Sequence, residues 1–274
     1  MYKRVLIALD LEGVNFAVGE AYNTLTNVPS QYEIAKSQAI KEVNAAAEAL
    51  FDAGADTVGL WDNHAGGGNI DPALLDKRIV LHSKEPGLRM GFAAGKYDCI
   101  CYFGYHTMEG TLGGVLAHTM SSKIIQYYKI NGRYVGEVDM DAAIAASHGM
   151  PSRFFCGGDL TCEQAKRSVP DIITVATKKE LGRNKAEFRD NSELLAEIKS
   201  KIAEAVNTEG EARELDFPLA FEKSFKRVED AEKHLIKLRE RGVDCDYLDD
   251  DIMGKDAHTV VSRVNNIEEF IKSI

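Results

Sequence analysis

Cys99-Ile100-Cys101-Tyr102-Phe103-Gly104-Tyr105-His106 is the stretch on which the fold turns. A run that is nearly all apolar or aromatic reads as a strand buried on both faces, and such strands belong to parallel sheets covered by helices. An imidazole stands at its exit. Val5-Leu6-Ile7-Ala8-Leu9 reads as a second buried strand and exits into Asp10-Leu11-Glu12-Gly13. A third, Thr57 to Trp61, exits into Asp62-Asn63-His64. A parallel sheet gathers the carboxyl ends of its strands along one edge, where ligands bind. Two carboxylates and two imidazoles delivered to that edge, with a further Glu at 137, suit one or two zinc-class ions.

Strand-like runs alternate with helical ones over the first two-thirds of the chain. Ser30-Gln31-Tyr32-Glu33 has the form of a capping box. It is expected to open a long helix whose apolar face runs through Ala35, Ala39, Val43, Ala46 and Leu50 at the helical period. Arg78 to His82, Arg153 to Cys156 and Ile172 to Thr177 read as further strands, with a short helix around Cys162 to Lys166. Asn131-Gly132, between β-rich arms at 124–130 and 133–135, is a type I′ hairpin signal. Glu137 to Ser147 reads as helix, stopped by Gly149 and Pro151.

After about residue 180 the pattern changes. Helices are expected at Ser192 to Val206, Val228 to Arg241 and Ile267 to Ile274, and strands at Glu214 to Phe225 and Thr259 to Ser262. The expected fold is α/β: a doubly wound, mostly parallel sheet in a domain of residues 1–185, and a smaller C-terminal α+β portion at 186–274.

The chain has 274 residues, 45% hydrophobic and 28% charged, as an ordinary globular protein has. Its net charge of −10 argues against nucleic acid as the main partner, which would want clustered Lys and Arg. No apolar stretch reaches the ~20 residues a bilayer crossing needs, and the N-terminal run lacks the form of a signal peptide. A cytoplasmic protein without a membrane partner is expected. Cys99, Cys101, Cys156, Cys162 and Cys245 are odd in number and lack framework spacing, which favours free thiols.

Each candidate site residue also has a plainer reading. Asp10 and Glu12, two apart in extended chain, point to one face, where they repel unless a cation lies between them; alone, they could be a solvated strand end. His64 precedes Gly66-Gly67-Gly68, a loop that suits close backbone approach but lacks the phosphate-cradling P-loop frame. His118 follows the glycine-rich stretch 110–114, and Glu137 at a helix start suits the helix dipole in any case. His82, His148, His234 and His258 read as structural or exposed. The joint placement on successive strand ends raises the metal reading. A nucleotide-binding Rossmann reading ranks last, because no G-x-G-x-x-G follows the first strand.

These residues resemble the M55 metallopeptidases, D-aminopeptidases of the DppA type. The resemblance rests on Asp10-Leu11-Glu12-Gly13, Asp62-Asn63-His64, Gly104-Tyr105-His106, the stretch from Gly110-Thr111 to His118-Thr119, and Asn131-Gly132 followed by Gly136-Glu137. Thr174-Val175-Ala176-Thr177-Lys178 and Leu181-Gly182-Arg183 extend it. It implies a dinuclear zinc site, two Zn2+ per subunit, with ligands Asp10, Glu12, His64, His106 and Glu137. It places His118 at the position of the family's catalytic histidine. It also implies a ring-like homo-oligomer acting on small peptides, some with a D-residue at the N-terminus. Ala8, Asn63, Ala65, Asp139 and Asp141 depart from the family's usual residues without removing a ligand. Two other functions compete: a zinc amidohydrolase acting on a non-peptide amide, and a non-catalytic small-molecule or metal-binding module.

Overall fold

A computed structural model describes residues 1–274. In chain order the elements are β1 (Arg4–Leu9), α1 (Pro29–Asp52), β2 (Thr57–Asp62), β3 (Val80–Ser83), β4 (Cys99–Tyr105), β5 (Ile125–Ile130), β6 (Arg133–Tyr134), α2 (Glu137–Ser147), β7 (Ser152–Gly157), α3 (Asp159–Ser168), β8 (Ile173–Ala176), β9 (Lys178–Gly182), β10 (Lys185–Phe188), α4 (Asn191–Asn207), β11 (Leu219–Phe225), α5 (Val228–Glu240), β12 (Asp244–Asp250), β13 (Gly254–Val264) and α6 (Ile267–Ser273). No helix is long and apolar enough to cross a membrane.

The chain divides into two compact units. The first holds Met1–Thr107, Leu112–Leu116 and Ala145–Arg213. Its six-stranded sheet has the order β3-β2-β1-β4-β7-β8, with every neighbouring pair parallel. From β1 the chain winds outward one way through β2 and β3, then the other way through β4, β7 and β8. That is the expected doubly wound arrangement. Every residue of β4 is buried. One face of the sheet, with Val5, Ile7, Leu9, Val58, Leu60, Cys101 and Phe103, shares a single core with α1 and α4. α1 meets that core largely through Ala35, Ala39, Ala46 and Ala47, small side chains that let a helix lie close.

The second unit holds Met108–Thr111, Ala117–Ile144 and Glu214–Ile274. Its antiparallel sheet has the order β12-β13-β11-β5-β6. Asn131 and Gly132 take φ of 48° and 77° and close the β5–β6 hairpin, as that dipeptide predicts. Phe221 packs between Tyr128 and Phe270, with ring centroids 5.5 and 5.0 Å away.

Several boundaries differ from the sequence expectation for physical reasons. α1 begins at Pro29, one residue before the capping box; proline pre-sets φ at the first helical position, so Ser30 lies inside the helix and caps nothing. The strand expected from Glu214 starts only at Leu219, after Pro218, which has no N–H for a ladder. β12 carries four aspartates in seven residues and shows no apolar period; the backbone ladder to β13 holds it. All five cysteines are free and buried.

Two glycines bring the exits of β1 and β4 into contact. The Asp10 N–H donates to Phe103 O at 2.8 Å and the Gly13 N–H to Gly104 O at 2.6 Å. A Cβ on Gly13 would lie 2.0 Å from Tyr105 O, and one on Gly104, whose φ is +70°, would lie 1.9 Å from Asp10 O. Neither obstacle is a movable side chain. Gly104→Ala combines that overlap with a left-handed backbone costing about 1–2 kcal/mol for alanine, so a loss of at least about 2 kcal/mol is expected in urea unfolding. An unaltered unfolding midpoint would refute the close approach.

Glu42 on α1 is buried in the same unit, where its Oε1 accepts from Asn15 N at 3.0 Å and Gln38 Nε2 at 2.9 Å. Burial raises its pKa from 4.5 to about 7, against the opposing effect of those hydrogen bonds. A raised carboxyl pKa means the folded state holds its proton longer, so stability is lost as pH climbs from the unfolded value toward about 7. Glu42→Gln does not suffer that loss. Its stability relative to the parent should improve by up to about 3 kcal/mol between pH 5 and pH 8, measured by urea unfolding at both; a pH-independent difference would contradict it.

Candidate metal centre

β1 and β4 are neighbours, and the chain leaves their carboxyl ends toward opposite sides of the sheet. This is the topological switch point of an open α/β sheet, where a crevice forms. Asp10 and Glu12 leave β1 there, His106 leaves β4, and His64 follows β2 on the other side of β1. All four are buried.

The distances are those of a shared polar centre. His64 Nδ1 lies 2.9 Å from Asp10 Oδ1 and 3.2 Å from Glu12 Oε2. His106 Nε2 lies 3.3 Å from Asp10 Oδ2. Asp10, Glu12 and His106 each bring a ligand atom within 4.8 Å of the others. Donor atoms that share a tetrahedral zinc at about 2.0–2.1 Å stand about 3.3 Å apart, so the cluster has the spacing, the chemistry and the burial of a zinc-class site. His64 Nε2 is buried with no hydrogen-bond partner.

The electrostatics of the protein groups point the same way. Burial alone would raise the pKa of Asp10, yet the hydrogen bonds and charges of His106 and His64 hold it well below the ordinary carboxylate range. Burial opposes a charge on His64, but Glu12 and Asp10 outweigh it and lift the imidazole to about 11. The Asp10 carboxylate is therefore anionic and demands positive charge at this point, which protons or metal can supply.

Neighbouring groups fix these side chains. His106 Nδ1 donates to Thr107 O at 3.0 Å, which assigns the proton to that nitrogen and turns Nε2 toward Asp10. The His64 loop is tied by Asp62, whose carboxylate accepts from Asn69 N at 2.6 Å and Asn69 Nδ2 at 2.7 Å. Asn69 Nδ2 also donates to His64 O at 2.6 Å, and Tyr32 OH donates to Asn69 Oδ1. Ala65, next to His64, is held at φ 47°.

The remaining two expected site residues lie in the second unit. Glu137 is buried at the start of α2, and its Oε1 accepts from Met120 N at 2.7 Å. His118 is half-buried in the loop leading to Met120. Leu116 and Met120, on either side of it, take φ of 51° and 61°. Non-glycine residues held in the left-handed region concentrate at functional sites.

Sequence reasoning did not assign a role to Asp62, Thr177 or Lys178. Asp62 lies in the quoted motif and could have been found as a third acid beside the site. Lys178 is a cation immediately after an apolar strand, and its burial was the missing signal. His82 is structural, as expected, bonded to Glu85 at 3.0 Å and Tyr97 at 2.6 Å.

The solved structure of the Zn-dependent D-aminopeptidase DppA from Bacillus subtilis, described as a self-compartmentalizing protease, superposes with a TM-score of 0.82 at 20% identity, covering 98% of this chain and 94% of that one. The D-aminopeptidase of Bacillus subtilis (strain 168) is 22% identical over 222 residues, 78% of each chain. Residues 3–241 match the peptidase family M55, D-aminopeptidase. With the strand-end cluster of Asp10, Glu12, His64 and His106 in place, the chain belongs to the M55 family of D-aminopeptidases, a family of peptide hydrolases.

Proposed function

We propose that the protein is a zinc-dependent aminopeptidase that removes the N-terminal residue, in D-configuration, from short peptides. The observation that carries this reading is the buried Asp10–Glu12–His64–His106 cluster at the switch point of the sheet. Zinc dependence is a stated property of the Bacillus subtilis DppA, and the donor set here fits that metal.

Asp10, Glu12, His64 and His106 would hold zinc with Glu137 as a fifth ligand, two ions per subunit. Bound zinc supplies Lewis acidity for the scissile carbonyl and lowers the pKa of water toward ~7. Thr107 O keeps the His106 proton on Nδ1, so that Nε2 is the nitrogen that would bind metal. Asp62 and Asn69 orient His64. His118, half-buried on a loop, would carry a proton between water and the leaving amine. A homo-oligomer is part of this reading, supported by the self-compartmentalizing description of DppA.

Elemental analysis of the purified protein should show zinc near two equivalents, and chelation followed by zinc should abolish and restore activity. D-aminoacyl amides should be cleaved faster than their L-forms, and N-blocked analogues should resist cleavage. Equal rates on blocked substrates would favour a non-peptide amidohydrolase, and full activity in metal-free protein would overturn the zinc reading. His118→Ala should retain its zinc while kcat falls by about 10²- to 10⁴-fold; unchanged kcat would remove His118 from the reaction.

A further inference from the structure

Lys178 is only 1% exposed, yet it carries an ammonium group. Its Nζ donates to Glu12 O at 2.6 Å, Val14 O at 2.9 Å and Ala17 O at 2.5 Å. An ammonium has three donors, and here each goes to a backbone carbonyl of one loop. Thr177 Oγ1 donates to a fourth carbonyl, Gly13 O, at 2.6 Å. The loop after β1, residues 10–24, has no helix or strand of its own. Its backbone is held from a point more than 160 residues further along the chain.

A buried ammonium is a costly way to satisfy carbonyls that water could satisfy at a surface. Burial pushes Lys178 down to about 8, while Glu180, Glu42 and Glu12 favour its charged form. What the arrangement secures is position. Asp10 is fixed by the ladder to β4 through its own N–H. Glu12 follows, and the peptide after it is held at both ends: the Gly13 N–H donates to Gly104 O at 2.6 Å, and the Glu12 carbonyl is one of the three gripped by Lys178. Turning the Glu12 peptide would swing its carboxylate away from His64 Nδ1.

We propose that Lys178, assisted by Thr177, is a positioning residue for metal binding: by gripping the carbonyls of residues 12, 14 and 17 it presets the loop so that Glu12 meets zinc without reorganisation. This inference rests on the zinc reading above. It assigns no contact between Lys178 and substrate or metal. The three converging carbonyls also form a cage that a small organic cation could fill if the side chain were removed.

The test measures zinc dissociation constants by chelator competition at pH 7.5 in the full-length protein. Lys178→Met should weaken zinc by about 10- to 100-fold, the usual effect of losing a group that orients a ligand. Arg153→Met is the control, since Arg153 is a buried cation of the same unit bonded to Asp171 and Thr208. It should lower the melting temperature and leave zinc affinity within about twofold of the parent. In Lys178→Ala, added ethylammonium should restore most of the zinc affinity, which a general loss of stability would not allow. Parent-like zinc affinity in folded Lys178→Met, an equal loss in Arg153→Met, or no rescue by ethylammonium would each overturn the proposal. Should Lys178→Met fail to fold, Thr177→Val takes its place; about three- to tenfold weaker zinc supports the proposal and unchanged affinity overturns it. A parent protein that takes up no zinc overturns the functional reading and this inference with it, whereas a zinc-binding parent beside an unaffected variant overturns this inference alone.

Discussion

No side chain fits between the backbone leaving β1 and the backbone leaving β4, and the candidate metal centre depends on that. Gly13 and Gly104 let the two chains touch where a Cβ would sit about 2 Å from a carbonyl oxygen. In a regular parallel sheet neighbouring strands are about 4.8 Å apart and their side chains point up or down. Here the positive φ at Gly104 breaks the pleat, and the pairing of β4 with β7 shifts between Phe103 and Tyr105. The irregularity aims His106 at Asp10 across the strand exits. The sheet supplies rigidity up to Leu9 and Phe103, and the glycines convert that rigidity into a fixed distance between an acid and an imidazole.

A cluster of this kind can exist only if its charges balance. Asp10, Glu12, Glu42 and Glu180 are all buried in the first unit. Unpaired carboxylates in low dielectric would bind protons or unfold the chain. Different neighbours answer each of them. Asp10 and Glu12 face imidazoles, Glu42 is pushed up to about 7, and Glu180 accepts from Val115 N, Thr161 N and Thr161 Oγ1. Lys178 adds an ammonium bonded to the backbone of the loop that carries Glu12, although burial pushes it down to about 8. The net charge of −10 is thus no guide to the local field, which residue-by-residue compensation sets.

How far the sequence could be read follows from the same physics. Strands buried on both faces announce themselves, so β1, β2, β4 and β7 were legible from runs such as Cys99 to Tyr105, and the polar side chains clustered past the exits of β1, β2 and β4 came with them. Asn131-Gly132 was legible because its turn needs two left-handed residues. β9, β10 and β12 were not, because pairing with a neighbour holds them and no apolar period marks them. The capping box at Ser30 misled because Pro29 satisfied the helix start one residue earlier. Lys178 was out of reach for another reason: a lysine in sequence reads as surface, and only the fold shows three carbonyls around it.

The division between fixed and movable parts has a chemical logic. Metal ligands lose affinity when they wander, and the candidate ligands follow strand exits, with His106 anchored through Thr107 O and His64 through Asn69. A group that carries a proton has to change partners during turnover, and a fully packed imidazole could not. His118 is the one proposed site residue that is half-buried, on a loop bracketed by Leu116 and Met120 in left-handed conformations. Strained residues of that kind persist only where surrounding contacts over-determine them. The Glu137 carboxylate holds the loop in shape at Met120, whereas His118 itself is half-buried, a division that suits the proton-transfer role proposed for it.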